Sequence, residues 1–378
     1  MDGDELGAWL RLLLTPGVGR SQARQLLALA GSPQAVFEWS ADDWRAAGLE
    51  RWVPALGLTP EDWGQQLQAT LAWLDGGADR FVFALGDAGY PPALLDIDDP
   101  PLLLFAMGAE ARHWAEGQHQ AQAMLAVVGS RNPTPQGERH ARQFAQALAQ
   151  AGVCVVSGLA RGVDGAAHEG ALAGGGSTVA VVGTGLDRVY PRRHLGLARR
   201  IVGQGAIVSE FPLGTPPLNH HFPQRNRILA GLARATLVVE ANLQSGSLIT
   251  ARLAAEQGKA VMAIPGSIDS PQSQGCHQLI VQGARLVAGV QDVFEELGWQ
   301  GAPVQPAHAP AADGEALALP PVDAALLQAL GYEPVSLDAL QARCGWPTDR
   351  LQAQLLELEL TGQLARLPGG LFQRLGCA

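Results

Sequence analysis

The chain has 378 residues, 47% of them hydrophobic and 16% charged, which allows two or three globular domains with a sizeable core. No apolar run reaches the roughly 20 residues that a membrane span needs, and the N-terminus lacks the layout of a secretion signal. We therefore expect a cytoplasmic protein without a membrane segment. The four cysteines are scattered with no CxxC pair, which predicts neither a disulfide framework nor a zinc site.

The net charge of −10 is distributed unevenly along the chain. Residues 1–118 carry 7 Lys and Arg against 17 Asp and Glu, whereas residues 119–298 carry 15 against 11. Nearly all the cations of this middle segment are arginines. Such asymmetry is a weak indication of contact with a polyanion, and simple scatter in composition is the alternative when charge is considered alone.

Residues 1–78 predict a helical domain. A helix that ends at Pro16 is followed by a Gly-x-Gly turn and by a second helix that opens at Ser21, the layout of a helix-hairpin-helix or SAM-like module. Such hairpins can bind DNA phosphates through backbone N–H groups, but this segment carries most of the acidic excess, which favours a plain hairpin used for packing. Residues 80–108 predict a strand, a proline-broken turn and another strand that lead into the main sheet.

Residues 79–298 predict an extended Rossmann-like α/β domain. Apolar, β-branched runs alternate here with helical stretches; the runs are MLAVVG, VCVVSG, TVAVVG, GAIVSEF, ATLVVEA and AVMAIPG. Strands that are apolar throughout and separated by helices predict a mainly parallel sheet that is covered on both faces. Ligands of such sheets bind at the carboxyl ends of the strands.

Three of these strands end in loops that contain glycine. The first loop lies in AVVGSR, residues 126–131, with a helix expected from about Pro135; the others begin at residues 157 and 183. Outward-pointing backbone N–H groups, a helix dipole and the planar donors of Arg131 all suit a phosphate. Several such loops along one sheet edge predict a site for a polyanion.

The densest polar stretch is NHHFPQRNR at residues 219–227. We expect Arg225 and Arg227 in the first turn of the helix that follows, where the dipole opposes a cation, and we interpret them as contacts to an external anion. Phe222 beside Arg225 predicts base stacking, with a ring buried in the core as an equally weighted alternative. Residues 244–247 open another helix, which predicts either an anion site or ordinary serine capping.

An enzyme would need a base or a nucleophile. Asp164 and His168 lie one helical turn apart and could pair, with Ser157 and Glu210 as further candidates, but a capping aspartate and a helix-face histidine are the favoured interpretation. The chain has no HExxH, GxSxG, Walker or GxGxxG pattern, and no match to the PGGxGTxxE loop of Rossmann-like enzymes that cleave nucleotides. We expect no catalytic residue, no cofactor and no metal.

The C-terminal part predicts a linker and a small domain. Residues 299–318 are rich in Ala and Pro, the composition of a linker. Residues 319–378 predict a winged helix: a helix from about Val322, a second capped by Ser336, a third capped by Thr348, and a hairpin around a Pro-Gly-Gly turn.

Seven blocks of the middle segment together resemble the DprA family, also called Smf, the DNA-processing proteins of natural transformation. The blocks, whose order and spacing agree with the family, are Gly129-Ser130-Arg131, SGLARGVDGAAHEGAL, GTGLDRVYP, SEFPLGTPP, HFPQRNRILAGLA, VEANLQSGSLITARLAAEQGK and PGS…GCHQLIVQGA. The helical N-terminal module and the winged-helix tail are family features as well. His277 stands where the family pattern has Asn.

The resemblance implies a non-enzymatic protein that binds single-stranded DNA in a basic pocket and forms homodimers. It also implies that the protein protects incoming single strands, displaces single-strand-binding protein and loads the recombinase RecA during natural transformation and homologous recombination. Family contact positions fall on Arg131, Arg192 and Arg225, with Arg161 in the basic position of its block. With the loop residues above, the predicted single-stranded DNA contacts are Gly129, Ser130, Arg131, Gly158, Arg161, Arg192, Phe222, Arg225, Asn226, Arg227, Gly246 and Ser247.

Two other hypotheses stay open. One is a Rossmann-like nucleotide-processing enzyme of the phosphoribohydrolase kind, with Glu210 or Asp164 as the acid or base. The other is a regulator that binds duplex DNA through its tail. The third helix of that tail carries Glu357 and Glu359 against only Arg350, so its face would repel phosphates, and we expect it to contact protein.

Overall fold

A computed structural model describes residues 1–118, 123–299 and 321–375, with the side chains of 321–324 excepted. The linker predicted for 299–318 lies outside the described residues, apart from its first position. Within the described ranges, no helix has the length and apolar character needed to cross a membrane.

The chain divides into two compact units. The larger takes in Met1–Pro133 and the chain from His140 to the gap before the C-terminal region, and the smaller takes in Thr134–Arg139 and that C-terminal region. Cys154, Cys276 and Cys344 are free thiols, the first two of them buried.

The N-terminal region is helical, as predicted. Its helices are α1 (Gly3–Leu14), α2 (Arg20–Ala30), α3 (Pro33–Glu38), α4 (Ala41–Ala46), α5 (Val53–Leu56) and α6 (Trp63–Asp75). Asp2 caps α1 by accepting from the N–H of Glu5 at 2.8 Å. The turn before α2 places Gly17 at a φ of 78°, a conformation that favours glycine, and α2 begins one residue before the predicted Ser21.

The main sheet of the larger unit is mainly parallel, which confirms the predicted fold class. Its strands are β1 (Arg80–Ala84), β2 (Leu103–Met107), β3 (Met124–Val128), β4 (Cys154–Ser157), β5 (Thr178–Val181), β6 (Ala206–Ser209), β7 (Ala235–Val238), β8 (Ala260–Ala263) and β9 (Arg285–Leu286). They are ordered β1-β2-β6-β5-β4-β3-β7-β8-β9, with β1 and β2 antiparallel at one edge. All six apolar runs form strands, while the two-residue β9 had no apolar pattern to predict it.

Helices accompany these strands along the chain. They are α7 (Ala109–Ala115), α8 (Pro135–Gln150), α9 (Val163–Ala173), α10 (Leu195–Gln204), α11 (His221–Leu232), α12 (Ser247–Glu256), α13 (Gln274–Val281) and α14 (Val290–Leu297). Successive residues of β5 join two different apolar clusters, Val179 and Val181 on one face and Ala180 on the other. The central strands are therefore covered on both faces, as apolar runs predict.

The strand order reverses between β3 and β7. From β3 the chain proceeds to β4, β5 and β6 on one side, whereas β7, β8 and β9 extend the sheet on the other side. Open α/β sheets bind ligands outside the carboxyl ends of the strands at such a reversal. The Ser130 N–H, just after β3, donates to the carbonyl oxygen of Glu240, just after β7, at 2.7 Å, so the two loops meet there.

Helix α11 begins earlier than the sequence predicted. It starts at His221, so Arg225 and Arg227 lie in its second turn and the first-turn placement was wrong. The polar residues of its first two turns are largely buried, which removed the apolar periodicity that would have marked the start. Pro223 is compatible with this start because the first turn of a helix does not use its backbone N–H groups.

The C-terminal unit has three helices followed by a hairpin, the order of a winged helix. Its elements are α15 (Pro321–Leu330), β10 (Val335–Ser336), α16 (Leu337–Cys344), α17 (Thr348–Leu360), β11 (Leu364–Leu367) and β12 (Leu371–Arg374). Ser336 caps α16 by accepting from the N–H of Ala339 at 3.2 Å, as predicted. The cap predicted at Thr348 was wrong, because Pro347 takes the cap position and the Thr348 hydroxyl donates to Gln341 at 3.3 Å.

Candidate nucleic-acid interface

A cavity of about 520 Å³ opens where the loops after β3 and β7 meet α11. It brings together eight of the twelve predicted contact residues, which are Gly129, Ser130, Arg131, Phe222, Arg225, Asn226, Gly246 and Ser247. These residues come from three separate stretches of sequence, and the reversal in strand order places them side by side.

The loop after β3 is fixed by its own backbone. The carbonyl oxygen of Ser130 accepts from the N–H of Val163 at 3.1 Å, and its hydroxyl accepts from the N–H of Asn132 at 3.1 Å. A Cβ at Gly129 would lie 2.7 Å from a methyl group of Val163, so glycine is needed there. The N–H groups of Ser130 and Asn132 are thus bonded internally, contrary to the expectation that they point outward, and Arg131 supplies the exposed donors.

An aromatic and cationic surface forms one wall of the cavity. The guanidinium carbon of Arg131 lies 5.3 Å from the ring centroid of the half-buried Phe222. The ring of Tyr190, which is 50% exposed and lies outside the cavity lining, is 5.7 Å from the Phe222 ring and extends this surface. The cation beside Phe222 is therefore Arg131, whereas the sequence analysis had placed Arg225 there. A flat base could stack against such a surface while its phosphate meets the guanidinium.

Arg225 lies at the floor of the cavity and is only 4% exposed. Its Nη2 donates to the carbonyl oxygen of Gly158 at 3.0 Å. A Cβ at position 158 would lie 1.8 Å from Nη1, so Gly158 contributes by making room for the guanidinium. Burial lowers the pKa of Arg225, while the charge of Asp164 acts in the opposite direction.

Asp164 and His168 do not form the pair that an enzyme hypothesis required. Asp164 lines the cavity and accepts from the N–H of Ala160 at 3.3 Å, and burial raises its pKa against the opposing charge of Arg225. His168 is fully buried, and its Nδ1 lies 2.8 Å from the hydroxyl of Thr178. That hydroxyl donates to a backbone oxygen, so His168 carries its proton on Nδ1; burial lowers its pKa to about 3.

The N-terminus of α12 forms a further part of the cavity lining. Gly246 is the cap residue and has no side chain with which to cap the helix. The N–H of Ser247 donates to the hydroxyl of Ser245 at 3.4 Å. The side-chain amide of Asn226 donates to the carbonyl oxygen of Gly246 at 3.3 Å, which joins α11 to α12. The positive end of the α12 dipole therefore lies at the cavity.

Arg161 and Arg192 are exposed and lie outside the cavity lining. Nη2 of Arg161 donates to the side chain of Asn132 at 3.3 Å, and Asn132 does line the cavity. Arg192 begins a short 3-10 turn two residues after Tyr190. Arg161 is thus joined to the cavity through a lining residue, whereas Arg192 is near it only through its position in the chain beside Tyr190.

Arg227 has internal partners instead of the external anion that we had inferred. Its Nη2 lies 2.5 Å from Glu210 and its Nε 3.0 Å from Asp99. Asp99 also binds Arg20 at 2.8 Å and Arg24 at 2.6 Å, both from α2. Burial favours a raised pKa for Asp99, but the hydrogen bonds from Arg24 and Arg227 lower it to about 2. These contacts agree with the packing role favoured for the N-terminal hairpin.

Four amide side chains also line the cavity, namely Asn132, Asn219, Asn242 and Gln244. Asn219 and Gln244 lie in stretches that the sequence had marked as candidate sites, whereas Asn132 and Asn242 were not predicted. Their place in the sequence could have indicated them, because Asn132 and Asn242 each follow a predicted strand by only a few residues and so lie at its carboxyl end. Among the described residues, no group of three or more His, Cys, Asp or Glu side chains is placed to hold a metal ion.

Comparisons with known proteins agree with the resemblance. The model of the family described as DNA recombination-mediator protein A matches residues 81–298, and that of the DprA winged helix domain matches residues 306–370. Protein Smf of Escherichia coli (strain K12) is 44% identical over 312 residues, which are 81% of this chain and 80% of that protein. DNA processing protein DprA of Streptococcus pneumoniae is 46% identical over 215 residues, 57% of this chain and 73% of that protein.

Two solved structures are similar to this chain. The X-ray structure of DNA processing protein A from Streptococcus pneumoniae has a TM-score of 0.62 and 35% identity, and the match covers 78% of this chain and 98% of that chain. A structure that addresses the single-stranded DNA binding mode of DNA processing protein A from Helicobacter pylori has a TM-score of 0.52 and 29% identity, covering 58% and 97%.

Proposed function

The chain belongs to the DNA recombination-mediator protein A family, and from that membership we propose that it binds single-stranded DNA in the cavity at the carboxyl ends of β3 and β7. The observation that carries the proposal is the grouping of Arg131, Phe222 and Arg225 around one cavity. The name of the Helicobacter pylori structure, which refers to single-stranded DNA binding, supports the same ligand.

Each part of the cavity has a role in this proposal. Arg131 is exposed and binds a backbone phosphate, while Phe222 and Tyr190 provide aromatic rings for bases. The N-terminus of α12 attracts a second phosphate through its dipole. Arg192 and Arg161 extend the basic surface beyond the cavity, along the path of the bound DNA strand. A duplex cannot present its bases to such a site, because its bases are paired and stacked.

We propose that the protein is not an enzyme. Glu210, one candidate acid, is held by Arg227 at 2.5 Å, and it does not line the cavity. Asp164 lines the cavity, but its candidate partner His168 bonds to Thr178. The phosphoribohydrolase hypothesis is tested by incubating the purified protein with nucleoside monophosphates. Base release that Asp164→Asn abolishes would favour that hypothesis, and we expect no release.

Family membership also supports a cellular role. We propose that the protein acts in the cytoplasm as a homodimer, protects incoming single strands and loads RecA onto them during natural transformation and recombination. The test is RecA filament assembly on single strands coated with single-strand-binding protein. Addition of this protein should shorten the delay before assembly, and sedimentation equilibrium should give twice the mass of one chain.

A salt titration tests the proposed ligand directly. A labelled oligo-dT and a duplex of equal length are titrated with the protein between about 50 and 300 mM salt, a range over which the release of counterions from DNA makes affinity depend on salt. We expect tighter binding of the single strand and a logarithm of the association constant that falls linearly with the logarithm of salt concentration. Equal affinity for the duplex, or affinity independent of salt, would contradict the proposal.

A further inference from the structure

We infer that Asp164 makes the cavity selective for nucleobases that carry an exocyclic amino group, so that cytosine-containing strands bind more tightly than thymine-containing ones. The inference deepens the proposed function and rests on it, because it concerns the same cavity. The phosphate and stacking contacts proposed above do not distinguish one base from another, and Asp164 would add a preference for certain bases.

The first observation is a fixed acceptor inside an anion-binding cavity. Asp164 is 7% exposed and lines the cavity. Backbone N–H groups of Gly158 and Ala160 hold its carboxylate in place. In the described part of the chain no arginine forms an ion pair with it within 4.0 Å, so the loop orients the carboxylate. Burial raises the pKa of Asp164, and the nearby charges of Arg225 and Arg131 oppose that rise and favour the ionised form.

The second observation is the chemical mismatch between this carboxylate and a phosphate. An ionised carboxylate only accepts hydrogen bonds, and it repels a phosphate at close range. The donors that a DNA strand can offer to Asp164 are therefore on its bases. Cytosine, adenine and guanine each present an exocyclic amino group, whereas thymine presents only its ring N–H.

The third observation is a donor at the same place. Among the described residues the guanidinium of Arg225 makes one hydrogen bond, to the carbonyl oxygen of Gly158, and Arg225 lines the cavity beside Asp164. Donor and acceptor thus lie next to each other at the floor. This pair complements the edge of cytosine, whose amino group donates while the adjacent ring nitrogen and oxygen accept.

Phosphates and bases then occupy different parts of the cavity. Arg131 and the N-terminus of α12 provide the donors for phosphates at its wall. Asp164 and Arg225 are buried deeper, where a base that turns inward reaches them. Asn226 and Asn242, which also line the cavity, can bond to the remaining polar atoms of such a base.

The test compares three oligonucleotides, two of which differ only in the 4-amino group of the base. Equal-length oligo-dC, oligo-dT and an oligomer of 2-pyrimidinone, the base that lacks only the 4-amino group of cytosine, are titrated at pH 8 by fluorescence anisotropy. We expect the wild-type protein to bind oligo-dC about fivefold or more tightly than the other two, the lower end of discrimination by one good base contact. Equal affinities for the three oligomers would overturn the inference while leaving the proposed function intact.

The matched variant is Asp164→Asn, which keeps the shape of the side chain and removes its charge. We expect oligo-dC and 2-pyrimidinone to bind this variant within about twofold of each other, with oligo-dT bound at least as tightly as by the wild type. A uniform loss for all three oligomers would show that Asp164 only holds the loop, and would overturn the inference. If the variant fails to fold, the wild-type comparison decides alone. Absence of binding to any oligomer would overturn both proposals.

Discussion

Arg131 is the residue from which the DNA-binding proposal can be tested most directly. It is exposed at the cavity and lies over Phe222, so its removal takes away one proposed phosphate contact without disturbing a buried network. We expect Arg131→Ala to weaken binding uniformly across sequences and to reduce the slope of the salt dependence by about one unit.

The matched control is Arg234→Ala, which removes an exposed arginine at the opposite end of β7. Salt titrations of both variants with oligo-dT provide the measurement, and the control should behave as the wild type does. If Arg131→Ala binds oligo-dT with unchanged affinity, the assignment of the cavity is wrong.

Gly158 is a residue whose role depends on having no side chain. Because a Cβ there would lie 1.8 Å from Nη1 of Arg225, Gly158→Ala should displace the guanidinium and reduce the affinity for single strands. Gly203→Ala in α10 is the control, since nothing lies within 4 Å of its added Cβ. Anisotropy titrations of both variants, with thermal melts to verify folding, check this expectation. Equal affinities in the two variants would contradict it.

His168 makes stability depend on pH. Its pKa is lowered to about 3 by burial, so the folded protein keeps it neutral while the unfolded chain binds a proton near pH 6.5. The stability that the neutral, buried His168 contributes is fully present above about pH 6.5 and is lost as the pH falls from there toward 3. We expect the free energy of unfolding to drop by about 2 kcal/mol between pH 7 and pH 5 from this residue alone.

Urea denaturation at the two pH values measures this effect of His168. His168→Asn, whose side chain cannot titrate but can still bond to Thr178, should show a drop that is smaller by that amount. A variant with the same pH dependence as the wild type would show that His168 is not the source.

At the level of elements, a network of ion pairs joins α2 to α11. Glu210 and Arg227 are nearly buried, with side chains 5% and 10% exposed, so the loss of one partner leaves a buried charge unpaired. We expect Glu210→Ala to lower the free energy of unfolding by about 3 kcal/mol. Asp42→Ala, which breaks an exposed pair with Arg45, should cost less than about 0.5 kcal/mol. Denaturant titrations compare the two, and similar losses would contradict the argument.

The elements that the sequence predicted best are the apolar strands. Each of the six runs forms a strand because a parallel strand that is covered on both faces is apolar almost throughout, which leaves a nearly continuous signal in the sequence. The start of α11 and the cap of α17 were predicted wrongly. At the start of α11 the buried residues are polar and find their partners far away in sequence, such as Asp99 for Arg227, so no local pattern revealed them.

At the level of the whole molecule, the candidate site depends on topology that local patterns do not contain. The sequence predicted glycine loops at one sheet edge, but the order of the strands decides which loops meet. The loop after β3 meets the loop after β7, which is more than 100 residues away along the chain. Asp164 and the lining amides enter the site for the same reason, although the sequence had suggested only a capping or a catalytic role for Asp164.

The C-terminal unit should contribute little to binding of nucleic acid. Its third helix, α17, exposes Glu357 and Glu359, and the guanidinium of Arg350 lies 4.4 Å from the Trp346 ring. We expect a chain that ends at residue 318 to bind oligo-dT as tightly as the full chain does. Residues 319–378 alone should not retard duplex DNA in a gel. A clear shift of the duplex would support the hypothesis of a duplex-binding regulator instead.

Arg20, Arg24 and Arg227 all bind one aspartate, Asp99, and this limits which segments the protein can exchange with its relatives in a chimaera. A chimaera whose first 78 residues come from a relative without arginines at positions 20 and 24 would leave Asp99 without two of its three arginine partners. Exchange of the N-terminal helices should therefore succeed only between donors that share both arginines, whatever their overall identity.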